Sequence, residues 1–143
     1  DVNIKERRGL KMEKVVYPVI LNEDKKDKIP FYVVVPDLGI HTQGMDLADA
    51  IAMARDAINV QIVAMEDEGR NIPEPNSKKY ELEAGDFVTM VDANPARYRR
   101  EQSNLSVKKN CTIPQWLAIK AEEAGINFSQ VLQEALKAKL NIA

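Results

Sequence analysis

The 143-residue chain has one cysteine, one histidine and one tryptophan, and aromatic residues make up only 6 % of it. A single cysteine excludes an internal disulfide framework. One histidine and one cysteine leave no ligand set for a structural zinc. No apolar run approaches the roughly 20 residues of a membrane span, and no secretory signal pattern is found. Glycine-rich phosphate loops are also lacking, and nothing in the sequence calls for a cofactor. A reducing cytoplasm is the expected compartment, with no membrane partner.

What is present is ordinary for a globular protein: 45 % hydrophobic and 29 % charged residues. The net charge of −2 is unevenly spread. Residues 1–94 hold 12 Lys and Arg against 18 Asp and Glu, hence −6, whereas residues 95–143 hold 8 against 4, hence +4. A basic half suits phosphate; an acidic half repels it and suits a cationic protein.

The last third is the most informative. Alternation across residues 107–113 predicts a strand. Val107, Lys109, Cys111 and Ile113 share one face; Lys108, Asn110 and Thr112 share the other. The second face carries a cation, an amide and a hydroxyl, all suited to base edges. Pro114 ends the strand and fits the first turn of a helix whose apolar side is Trp116, Leu117, Ile119, Ala121 and Ala124. Gly125 stands where a helix end needs positive φ, and Asn127 is placed to cap the next helix. In that helix Phe128, Val131, Leu132, Ala135, Leu136 and Leu140 form a stripe at helical spacing. One lone strand and two short helices bury too little to fold alone. A second copy, pairing strand to strand, supplies the missing surface.

This tail resembles the ribbon-helix-helix family of DNA-binding dimers. The resemblance implies that Lys108, Asn110 and Thr112 enter the major groove and that the turn at Asn127, Phe128 and Ser129 clamps the phosphate backbone. The competing reading is a helical hairpin used only for dimerisation.

Upstream, residues 1–11 lack periodicity and are expected to be a leader or cloning remnant. Strands are expected at 15–21, 31–35 and 40–43, with Pro18 at an edge or bulge because it cannot donate to a ladder. A helix from Leu47 to about Glu68 follows, capped by Asp46 with Asp49 in the capping-box position. A proline-bearing loop covers 71–79, and a fourth strand 86–91. The fold class is therefore α+β. A β-β-β-α-β layer over 12–93 leads through a linker at 94–106 to a β-α-α ribbon-helix-helix dimerisation domain at 107–143.

Tyr17–Ile20 (YPVI), FYVVVPDLG at 31–39, Thr42–Gly44 (TQG), the long helix, and the run from Gly69 through Ile72, Pro73, Pro75 and Ser77 together resemble the HicB antitoxin family. The resemblance implies a partial ribonuclease-H-like layer. It also implies a HicA-like toxin ribonuclease as partner, operator DNA as a second partner, and repression of the shared operon by a homodimer that can pair into a dimer of dimers. The alternative is a ribbon-helix-helix regulator whose first domain senses a ligand or another protein.

An enzyme is not expected. A ribonuclease-H-type site needs carboxylates converging on two metals, one from the first strand, and residues 15–21 contain none. Asp37, Asp49, Asp56, Asp86 and Asp92 are expected as solvated surface or caps. His41 has no nucleophile to serve and is expected as an exposed or satisfied strand residue. No catalytic or metal-binding residue is assigned. Toxin-contacting residues cannot be read from the sequence; the 22–28 turn and the 71–79 loop are the candidates.

Overall fold

The computed structural model describes residues 12–143; the expected leader lies outside them. The chain divides into two compact units, one reaching Asn104 and the other Leu105–Ala143.

In the first unit the elements run β1 (Val15–Glu23), β2 (Phe31–Val35), β3 (Ile40–Gly44), α1 (Leu47–Asp67), β4 (Phe87–Ala93) and α2 (Pro95–Glu101). The four strands form one antiparallel sheet in the order β3-β2-β1-β4. Alternation sends Tyr17, Val19, Leu21, Val33, Val35, Val91 and Ala93 into a core shared with Ala50, Ala54, Ile58, Ile62 and Met65 of α1. These α1 residues recur every three or four positions, so one helical stripe covers one sheet face. Burying each of the larger aliphatic side chains stabilises by about 1.5–3 kcal/mol.

Local chemistry fixes where α1 starts. Asp46 Oδ1 accepts from the Asp49 amide at 2.8 Å, and Asp49 Oδ2 accepts from the Met45 amide at 2.8 Å. The expected capping box is thus formed one residue wider, reaching past the cap to Met45. At Gly44 a Cβ would strike the Ala50 backbone, so only glycine lets β3 turn this closely into α1.

Pro18 faces an open edge, as expected: its strand is central, but β2 pairs only with Ile20–Glu23, leaving Pro18 with a strand on one side, opposite Met90. Two expectations need correction. The segment 94–106 is not a plain linker: Pro95–Glu101 is helical, with Pro95 and Ala96 buried. Asn94 caps it through the Arg97 amide at 2.9 Å. Arg99 holds it against the end of α1 by an ion pair to Asp67 at 2.8 Å. Asp37, expected at the surface, is only 2 % exposed.

The second unit contains α3 (Gln115–Glu123) and α4 (Phe128–Lys139). Gly125, at φ 68°, closes α3: its amide bonds the Glu122 carbonyl, and the Ile126 amide reaches the Ala121 carbonyl. The expected strand at 107–113 is absent from the single chain, where residues 103–114 form neither helix nor strand. The physical reason is pairing: a strand exists through its hydrogen-bonded neighbour, and the sheet of the described residues contains only β1 to β4.

Candidate binding surfaces

In the second unit no residue of either helix is buried. Trp116 is 62 % exposed, Val131 50 %, Leu136 51 % and Leu140 66 %. Such a contiguous apolar surface on a two-helix unit marks a partner interface. The six residues assigned to DNA are all exposed. Lys108, Asn110 and Thr112 lie on the stretch without regular secondary structure before α3; Asn127, Phe128 and Ser129 open α4. Asn127 behaves as a cap, its Oδ1 accepting from the Gln130 amide at 3.1 Å. The first turn of α4 carries no acidic residue, so nothing there opposes a phosphate. Lys120 lies 5.9 Å from the Trp116 ring centroid, a cation–π contact at an exposed site. Cys111 is exposed in the single chain.

In the first unit the structure organises the 71–79 loop around a carboxylate that the sequence did not single out. Asp37 Oδ1 accepts from Ser77 Oγ at 3.0 Å and from the Lys78 amide at 2.9 Å; its Oδ2 accepts from the Asn76 amide at 3.0 Å. Tyr17, on β1, donates its hydroxyl to the Pro73 carbonyl at 2.6 Å. Burial first, then the Asp37 and Glu74 carboxylates, push the Tyr17 phenol up to about 12. Asn76 takes φ 60°, the left-handed conformation that asparagine tolerates. The loop is therefore held at both ends by buried groups, while Lys78 and Lys79 remain exposed. A signal for this was available. The VPDLG run holds Asp37 at its middle and the Ile-Pro-x-Pro-x-Ser run ends in Ser77, and those two residues meet.

The 22–28 turn is self-contained. Asp24 Oδ1 accepts from the Lys26 amide at 3.0 Å, and Asp27 Oδ1 from the Ile29 amide at 3.3 Å. Further on, Asn22 Nδ2 donates to Asp86 Oδ1 at 2.7 Å, and this bond, with the Glu83 amide, lowers the Asp86 pKa. His41 is an exposed residue of β3. Among the described residues no three His, Cys, Asp or Glu side chains gather into a metal-holding group. No described helix is long and apolar enough to cross a membrane.

Comparison with known proteins sets these surfaces in context. The family model described as the HicB-like antitoxin of bacterial toxin-antitoxin systems matches residues 17–135. Among solved structures, a chain of a toxin-antitoxin complex from Streptococcus pneumoniae is 24 % identical. That match covers 88 % of this chain and 99 % of the other, at a TM-score of 0.52. The antitoxin HicB of Burkholderia pseudomallei is 21 % identical, covering 89 % of this chain and 97 % of the other, at a TM-score of 0.47. The first likeness is one of fold. No curated protein matches.

Proposed function

The chain belongs to the HicB-like antitoxins of bacterial toxin-antitoxin systems, and from that premise we propose that it blocks a HicA-like ribonuclease toxin and represses its own operon as a ribbon-helix-helix dimer. It does so in the cytoplasm and without catalysis of its own. The observation that carries the DNA half of this reading is the tail. Leu105–Ala143 forms a compact unit of its own whose two helices bury no residue.

Two copies resolve that imbalance. Residues 107–113 of each chain pair as an antiparallel ribbon, and the stripes of α3 and α4 close over one another as its core. A two-stranded ribbon fits the major groove, with Lys108, Asn110 and Thr112 of both chains facing bases. The α4 N-termini, at Asn127, Phe128 and Ser129, then sit over phosphates. The half-sites are related by the two-fold axis of the dimer. Two dimers on adjacent half-sites gain avidity, which the toxin can modulate by changing the oligomer.

The toxin half rests on charge. A ribonuclease must attract RNA, so its working face is basic. The excess of carboxylates in residues 1–94 complements such a face and speeds association. Steric occupation then denies RNA access.

Co-purification with the product of an adjacent reading frame tests the toxin half, and gel shift on the upstream DNA tests the other. Asn110→Ala is expected to weaken operator binding by roughly 1–3 kcal/mol and leave toxin capture intact. Unchanged DNA affinity would remove Asn110 from the reading head. Failure to retain a small basic protein would leave a DNA-binding regulator outside any toxin pair.

A further inference from the structure

The first unit gathers cations at one place. A half-open cleft of about 440 Å³ lies where α1, the end of β4 and α2 meet. Lys14, Arg55 and Arg97 line it, against two carboxylates, Asp92 and Glu101. The lining therefore carries a net +1, whereas residues 1–94 as a whole carry −6. Both carboxylates sit in exposed ion pairs: Asp92 with Arg55 at 3.1 Å, Glu101 with Arg97 at 2.7 Å. Pairs of this kind hold weakly, so an anion entering the cleft can bridge the arginines or take them over. Each guanidinium uses only part of its fork of donors on its carboxylate. Among the described residues Lys14 forms no ion pair, so it adds a cation without a counter-charge.

Charge and size select the ligand. A phosphate monoester brings nearly two charges and three terminal oxygens, enough for three cationic side chains. A carboxylate has one charge and two oxygens and serves a single fork. A bare phosphate would leave most of the volume unused, so the ligand has an organic part as well. The rest of the lining is an aromatic ring and amides. Tyr98 offers a ring of the kind on which bases stack. Asn94 and Asn59 offer amides, which pair with base edges. Asn59 Oδ1 is shut from solvent, and no described group donates to it. A base amino group that parts the side chains above it would supply the donor. We propose that this cleft binds a nucleoside monophosphate, with Lys14, Arg55 and Arg97 on the phosphate and Tyr98 and Asn59 on the base. The site lies within the first unit and rests on neither the operator reading nor the toxin reading.

The test is titration of the whole ¹⁵N-labelled chain with AMP, GMP, CMP and UMP in turn, and with inorganic phosphate, at constant ionic strength. At least one monophosphate should shift the Asn59, Ala93, Asn94 and Tyr98 amides saturably, with a Kd at least about 10-fold below that of inorganic phosphate. Lys14→Gln combined with Arg97→Gln should raise that Kd by at least about 10-fold. Lys25→Gln combined with Lys26→Gln removes the same charge from the 22–28 turn and should leave it unchanged. All four side chains are exposed, so both double variants should keep the circular dichroism and Tm of the unaltered chain. No saturable shift with any of the four overturns the proposal. An equal loss in both double variants overturns it too, since the attraction would then be to net charge and not to the cleft. If inorganic phosphate binds as tightly as every monophosphate, the cleft holds an adventitious ion only. If duplex DNA of arbitrary sequence shifts those amides and no monophosphate does, the cleft is a nucleic-acid backbone contact and the proposal fails.

Discussion

Helices α1 and α4 carry the same signal, an apolar stripe at helical spacing, and end in opposite states. Ile58 and Ile62 of α1 are wholly buried, while Leu132 and Leu136 of α4 are 37 % and 51 % exposed. Periodicity announces that a face is to be buried; it is silent on what buries it. In residues 12–104 the chain supplies its own sheet. In residues 105–143 it supplies two helices and a stretch without regular secondary structure, and the apolar stripes stay exposed.

Paired truncations test this contrast most strongly. Ile58→Ala should lower the stability of the first unit by about 2–5 kcal/mol, and the loss should not depend on protein concentration. Leu136→Ala removes a comparable side chain but should show its cost only through assembly, with a Tm for the second unit that falls on dilution. Thermal melts across a hundredfold range of concentration separate the two. Equal, concentration-independent losses would mean that the tail folds within one chain.

The next largest effect is expected at Asp37. Asp37→Ala leaves the Asn76 and Lys78 amides and the Ser77 hydroxyl without their acceptor, at a cost of about 1–3 kcal/mol. Limited proteolysis should then cut within 71–79 while the tail stays as it was. Protection of that loop in the variant would show that Asp37 does not hold it.

Much of this could be read in the sequence, and the misses have a common cause. The span of α1 was legible because a cap, a 3.6-residue period and a following glycine agree on it. The strand sequence was legible from short β-rich runs between turns. The open edge at Pro18 was legible because proline has no amide to donate to a ladder. The burial of Asp37 and the packing of α2 were missed because both are set by partners distant in sequence: Ser77 for one, Asp67 for the other. The tail cap at Asn127 was legible, being local; the strand expected at 107–113 is not formed in the single chain.

Tyr17 should show a smaller effect, visible at high pH. Its phenol titrates at about 12 in the folded chain against the ordinary value of 10. The folded state keeps its proton longer than the unfolded one. The stabilisation is therefore complete below pH 10 and is lost as pH rises towards 12. Tyr17→Phe should cost about 1 kcal/mol at neutral pH through the lost bond to Pro73 and should flatten this alkaline loss. An unfolding free energy that falls as steeply in Tyr17→Phe over that range would assign the alkaline limb to another group.

The finest separation is at Asn127, where holding a helix and holding DNA are different demands on one side chain. Asn127→Ala removes the acceptor for the Gln130 amide and should cost about 1 kcal/mol of tail stability. Asn127→Asp keeps an acceptor of equal capping strength and adds a charge that favours the helix N-terminus. Stability should thus be unchanged or slightly raised. The same charge opposes a phosphate seated on those amides, so operator affinity should fall. A variant whose tail melts no lower yet binds DNA more weakly would identify the α4 N-terminus as a phosphate clamp. Affinity that follows stability in both variants would reduce Asn127 to a cap.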